Sequence, residues 1–189
     1  PLPLPAAAAM AAAAREQSEL GSEIFPAYDA AKESAREEIA RLIGATPDEV
    51  ALTRNTVEGL SIVASGIDWK PGESVVVDTQ EFPGNVYPWL NLEARFGVKV
   101  RLVPAENGRV TAESLIAAAD ERTRLVTVSF VQFSSGYRIQ LGTLGAFCRA
   151  RGIFLVVDGI QGVGVLPLDV VGSQVDFLAC GAQKWLLGP

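Results

Sequence analysis

An apolar run, Phe154-Leu155-Val156-Val157, rises to one carboxylate, Asp158, and breaks at Gly159 just before Ile160 and Gln161. A second run, Val175-Asp176-Phe177-Leu178-Ala179, leads through Cys180-Gly181-Ala182 to Gln183 and Lys184. Two buried strands would deliver an Asp and a Lys to one edge of a sheet. A buried Asp requires a cationic partner, and a lysine removed from water has a lowered pKa and attacks carbonyls.

Other polar residues fall at the same kind of place. Thr53-Arg54-Asn55-Thr56 precedes Val57, Leu60, Val63, Ala64 and Ile67 at helical spacing. Asn55 or Thr56 can cap that helix, and the free N–H groups of its first turn suit a phosphate. Phe82 and Gln132 each follow an apolar run. A phosphate turn, an aromatic to stack, a carboxylate for a ring nitrogen, an amide (Gln161) for a ring oxygen and an imine-forming lysine are what pyridoxal phosphate asks for. Each residue also has a plainer reading. Asp158 alone could be a cap, Phe82 a core aromatic and Lys184 a surface lysine.

Composition narrows the alternatives. The 189 residues carry a formal net charge of -6 and no histidine, which removes Ser-His-Asp and Cys-His catalysis and His-ligated zinc. The acidic balance argues against a nucleic-acid partner, and no apolar run approaches the ~20 residues of a membrane span. Two cysteines, Cys148 and Cys180, build neither a four-cysteine metal site nor a disulfide framework, so a cytoplasmic location is expected. No Gly-x-Gly-x-x-Gly or Walker sequence points to a nucleotide.

The elements that must position these residues alternate. Helices are expected from Ala6 to Gly21, Tyr28 to Ile43, Thr56 to Ile67, Asn85 to Phe96, Thr111 to Ala119 and Leu141 to Arg151, several stopped by glycine. Strands are expected at Val50–Thr53, Ser74–Val77, Val98–Val103, Leu125–Val131, Phe154–Val157 and Val175–Ala179. The order predicts an α/β fold, a mostly parallel doubly wound sheet with helices on both faces, whose ligand sits at the strands' carboxyl ends.

From Pro1 to Pro189 the chain resembles the class V aminotransferase-fold enzymes, the group that holds cysteine desulfurases, isopenicillin-epimerase-like proteins and kynureninases. The likeness is sharpest in Thr53-Arg54-Asn55-Thr56-Val57-Glu58-Gly59, Glu81-Phe82-Pro83-Gly84-Asn85, Val157-Asp158-Gly159-Ile160-Gln161 and Gln183-Lys184-Trp185. The resemblance implies a fold-type I large domain, pyridoxal phosphate, an amino-acid substrate and a homodimer. It places Lys184 as the imine lysine, Asp158 against the pyridinium, Gln161 at the phenolic oxygen and Gln132 beside the ring. It places Asn55, Thr56, Val57 (through its backbone N–H) and Gln183 at the phosphate. Desulfurases generally carry His where Phe82 stands, which favours the aminotransferase-like or epimerase-like branch over a desulfurase or related β-lyase. A non-catalytic scaffold of the same fold is the alternative of another class. Residues 1–189 are expected to hold part of an N-terminal segment plus the cofactor-binding large domain. A small C-terminal domain would lie outside them, and this piece alone would be inactive.

Overall fold

Apolar β-branched runs become strands, and the computed structural model, which describes Leu2–Gly188, pairs them into one sheet. Pro1 and Pro189, the two ends of the resemblance, lie outside the described residues. The strands are β1 (Ser74–Asp78), β2 (Lys99–Val103), β3 (Thr123–Ser129), β4 (Phe154–Asp158) and β5 (Phe177–Ala179). All pair in parallel, in the order β2-β1-β3-β4-β5. β1 is buried at every position and β3 and β4 at all but one, as parallel strands covered on both faces must be. β2 and β5 form the edges and are more exposed.

The helices are α1 (Leu4–Leu20), α2 (Phe25–Ile43), α3 (Thr56–Gly66), α4 (Tyr87–Phe96), α5 (Ala112–Ala118) and α6 (Leu141–Arg151). Strand alternation sorts the core into two layers. Val75, Val77, Leu125 and Val156 meet Leu60 of α3 and Trp89 and Leu92 of α4. Val76, Val126, Leu155 and Val157 meet Leu115 of α5 and Leu144 and Cys148 of α6. Leu60, Leu115 and Leu144 are fully buried, each worth about 2 kcal/mol of transfer free energy. Gly44, Gly97 and Gly152 close α2, α4 and α6 at φ of 74°, 67° and 66°, the left-handed cap that favours glycine.

This is the doubly wound sheet expected, with local differences. Val50–Thr53 forms no strand. Arg36 reaches across from α2 and donates through Nε to the Val50 carbonyl at 2.8 Å, so that carbonyl bonds a side chain and not a neighbouring strand. The helix expected from Asn85 divides into a 3-10 turn, Pro83–Asn85, and α4, because Val86 leaves the helical region at φ -121°. The run from Val175 pairs only over Phe177–Ala179. Val175 N–H goes instead to the Val170 carbonyl at 2.9 Å. α1 is helical through alanine content and has no buried residue.

β1 pairs with β2 on one side and β3 on the other. The chain therefore reverses its direction of travel across the sheet between these strands. Their carboxyl ends bound the crevice where such sheets take ligands.

Candidate active site

Every residue marked by the sequence lies at the carboxyl ends of the strands or at the start of α3. Asp158 ends β4 in register with Ser129 and Ala179. It is 4% exposed, and its Oδ1 accepts the Ile160 N–H at 2.9 Å. Burial holds its carboxyl above the usual carboxylate range, against the Ile160 N–H and the charge of Lys184, which both favour ionisation. Gly159 donates to the Ala179 carbonyl at 2.8 Å and has Val163 and Leu178 where a Cβ would go. That contact ties the turn carrying Gln161 to β5.

Lys184 stands five positions beyond Ala179 and is exposed, not withdrawn from water as its loop suggested. It makes no ion pair with Asp158 among the described residues, though the two charges influence one another. Cys180 feels both charges. Burial pushes its thiol up to about 11, with Asp158 adding to the rise and Lys184 opposing it. Gln183 folds its side chain back over Gly181.

Asn55 is the N-cap of α3, and its Oδ1 accepts the Glu58 N–H at 2.9 Å. Thr56, the first helical residue, is buried, and its Oγ1 has no partner. Gly59 brings α3 down onto the end of β5, with Ala179 Cβ 3.3 Å from where a side chain would start. Val57 presses on Gly84, whose missing Cβ would sit 2.6 Å from Val57 Cγ2. That close approach joins the phosphate-type turn to the loop of Phe82. Phe82 is half-exposed and meets Phe133 edge to face, centroids 5.5 Å apart at 88°. Gln132 is buried. Its Nε2 donates to Asp78 Oδ2 at 3.5 Å, and its Oε1 has no partner. Gln161 is half-buried on the turn after β4.

Residues 7–189 match the family model described as Aminotransferase class-V. The chain belongs to that family. Among similar class-V relatives, a probable cysteine desulfurase of Methanothermobacter thermautotrophicus is 39% identical over 158 residues, covering 83% of this chain and 39% of the relative. Isopenicillin N epimerase of Streptomyces clavuligerus is 36% identical over 161 residues, covering 82% and 40%. A solved structure of a C-DES mutant with glycine covalently linked to its PLP cofactor superposes with a TM-score of 0.92 at 28% identity. It takes in 100% of this chain and 51% of that one. The chain thus spans about two fifths of these curated relatives.

One constellation escaped the sequence. Glu81 and Asp78, both nearly fully buried, lie at the carboxyl end of β1, where Glu81 meets the end of β3. Glu81 Oε1 accepts Ser129 N–H at 2.5 Å, and its Oε2 accepts Ser129 Oγ–H at 2.6 Å and Asn85 Nδ2–H at 2.9 Å. Burial pushes its carboxyl up to about 7 against these bonds, and the charge of Asp78 adds to the rise. Glu81 and Ser129 are 48 positions apart, so only the strand order, β1 beside β3, could have revealed the pair.

Proposed function

We propose that this chain is the cofactor-binding part of a pyridoxal-phosphate enzyme acting on the amino group or α-carbon of an amino acid, in the aminotransferase-like or epimerase-like branch. One observation carries the reading. The carboxyl-end face of the sheet carries a buried hydroxyl without a partner at a helix N-terminus, Thr56 Oγ1, and a buried carboxylate bonded to no cation, Asp158. A phosphate would satisfy the first and a protonated ring nitrogen the second. Gln132 Oε1, also buried and unpartnered, offers a further polar contact beside the ring.

The chain's own residues then divide the work. Asn55, Thr56, the Val57 N–H and Gln183 would hold the phosphate at the start of α3. Phe82 would lie against the ring face and Gln161 would reach the phenolic oxygen. Asp158 would keep the ring nitrogen protonated. When bound, pyridoxal phosphate supplies an electron-withdrawing ring that weakens bonds at the substrate α-carbon. Lys184 would hold the cofactor and, once its amine is free, move the α-proton. Of the two nearby arginines, Arg54 is engaged by a carboxylate, and Arg138, exposed and in no ion pair among the described residues, keeps its N–H donors open to a substrate carboxylate. Glu58 Oε1 accepts from Arg54 Nη2 at 2.6 Å, and Arg138 lies over the Phe130 ring at 5.3 Å.

A second reading, a cysteine desulfurase or related lyase, draws on the names of the similar proteins. Against it stands Phe82, whose phenyl ring can stack but cannot carry a proton. A cytoplasmic homodimer completes the proposal. It is supported by two free cysteines and by α1, a helix with no buried residue that a second subunit would cover.

The test uses the full-length protein loaded with pyridoxal phosphate and given single amino acids in D2O. Exchange of the α-proton or release of a keto acid is the expected result. Turnover confined to cysteine or cystine, with sulfur released from the side chain and no exchange or keto acid from other amino acids, would transfer the protein to the second reading. A bound cofactor with no turnover of any amino acid would leave the scaffold.

A further inference from the structure

Glu81 is an expensive residue in its place. A buried carboxyl beside a second buried carboxyl, Asp78, and facing no Lys or Arg among its bonded neighbours, costs free energy that an apolar residue would not. The structure surrounds it with donors. Ser129 supplies its N–H and Oγ–H, and Asn85 supplies Nδ2–H. Asn85 is itself fixed, because its Oδ1 accepts Trp89 Nε1–H at 3.1 Å and Thr127 Oγ–H at 2.7 Å. The side chain therefore bolts the loop after β1 to the end of β3.

The next residue is Phe82. Phe82 is 52% exposed and its ring meets Phe133 by an edge, so side-chain packing holds it only lightly. Its backbone fixes where the ring stands. Glu81 fixes it on one side, and on the other the Asn85 N–H donates to the Phe82 carbonyl at 2.8 Å. We propose that Glu81 is a positioning residue, which holds the Phe82 ring in place for the cofactor to stack against by pinning the β1–α4 loop to Ser129. This rests on the pyridoxal-phosphate reading of the site.

The test is a double-mutant cycle on cofactor affinity in the full-length apoprotein, titrated with pyridoxal phosphate itself. Glu81→Gln keeps the size of the side chain but turns a donor toward Asn85 Nδ2, which cannot flip without losing its bonds to Trp89 and Thr127. It is expected to weaken the Kd about tenfold, the size of one buried hydrogen bond. In a Phe82→Ala background the same change is expected to alter the Kd less than about twofold, since the ring it acts through is gone. Ser129→Ala, which removes one donor and leaves the backbone bond, follows the same pattern with a smaller loss and decides the matter if Glu81→Gln does not fold. An unchanged Kd in E81Q, or the full tenfold loss persisting without Phe82, would overturn the proposal. Failure of the wild-type protein to bind pyridoxal phosphate would instead overturn the reading beneath it.

Discussion

Replacing Thr56 with Val should separate a binding group from a structural one. Thr56 Oγ1 is buried at the start of α3 with no partner. A hydroxyl in that position costs the apoprotein about 1–3 kcal/mol of unrecovered desolvation, while a hydrogen bond to a phosphate dianion returns about 1.5–3 kcal/mol. Valine has nearly the same shape without the hydroxyl. The expected result is opposite in the two states. Apoprotein stability in urea is unchanged or rises by up to about 1–2 kcal/mol, and the Kd for pyridoxal phosphate weakens about ten- to hundredfold. Fluorescence titration of the apoprotein gives the second quantity, and equilibrium unfolding gives the first. A variant that binds the cofactor as well as wild type would refute the phosphate assignment. A variant whose apoprotein loses more than about 1 kcal/mol would show that the hydroxyl has a partner in the protein.

Asp158→Asn should raise apoprotein stability, because a buried carboxyl held above its ordinary range is removed, and should weaken cofactor binding, read by the same two assays. Glu81 keeps its proton in the fold up to about 7, against 4.5 in the unfolded chain. Between these values the folded state binds more protons, so stability falls as pH rises, by roughly 3 kcal/mol from this group. Asp78 and Asp158 shift the same way. Urea unfolding at successive pH values should show that slope in the wild-type apoprotein and a flatter one in E81Q. Gly145→Ala should cost about 3 kcal/mol or more by thermal or urea unfolding, since its Cβ would fall on the backbone carbonyl of Ser173, which is not a movable side chain. A fully stable G145A would contradict the packing of α6.

The sequence carried the site's outline because strand ends are legible. Apolar runs broken by Asp158-Gly159 and by Cys180-Gly181 read as strands that stop, and glycine stops at Gly44, Gly97 and Gly152 mark the helices between them. Asn55 was legible as a cap because capping needs only residues a turn away. What the sequence hid was non-local. Val50–Thr53 has the residue types of a strand, yet Arg36, 14 positions earlier, takes its carbonyl. Lys184 sits among small residues that suggest burial, and its loop turns it outward. Glu81 reads as one more polar residue in a turn until β3 is placed beside β1. Gln132 and Phe133 are adjacent in sequence, and only the structure shows the first buried on Asp78 and the second facing Phe82.

The central claim is that Lys184 and Asp158 serve one pyridoxal-phosphate site. The most direct measurement is the absorbance spectrum of the full-length protein after adding pyridoxal phosphate, followed by borohydride reduction and peptide mapping. The account predicts an imine absorbance that reduction fixes onto the peptide containing Lys184. Absence of that absorbance, or a reduced adduct on any other lysine, would contradict it.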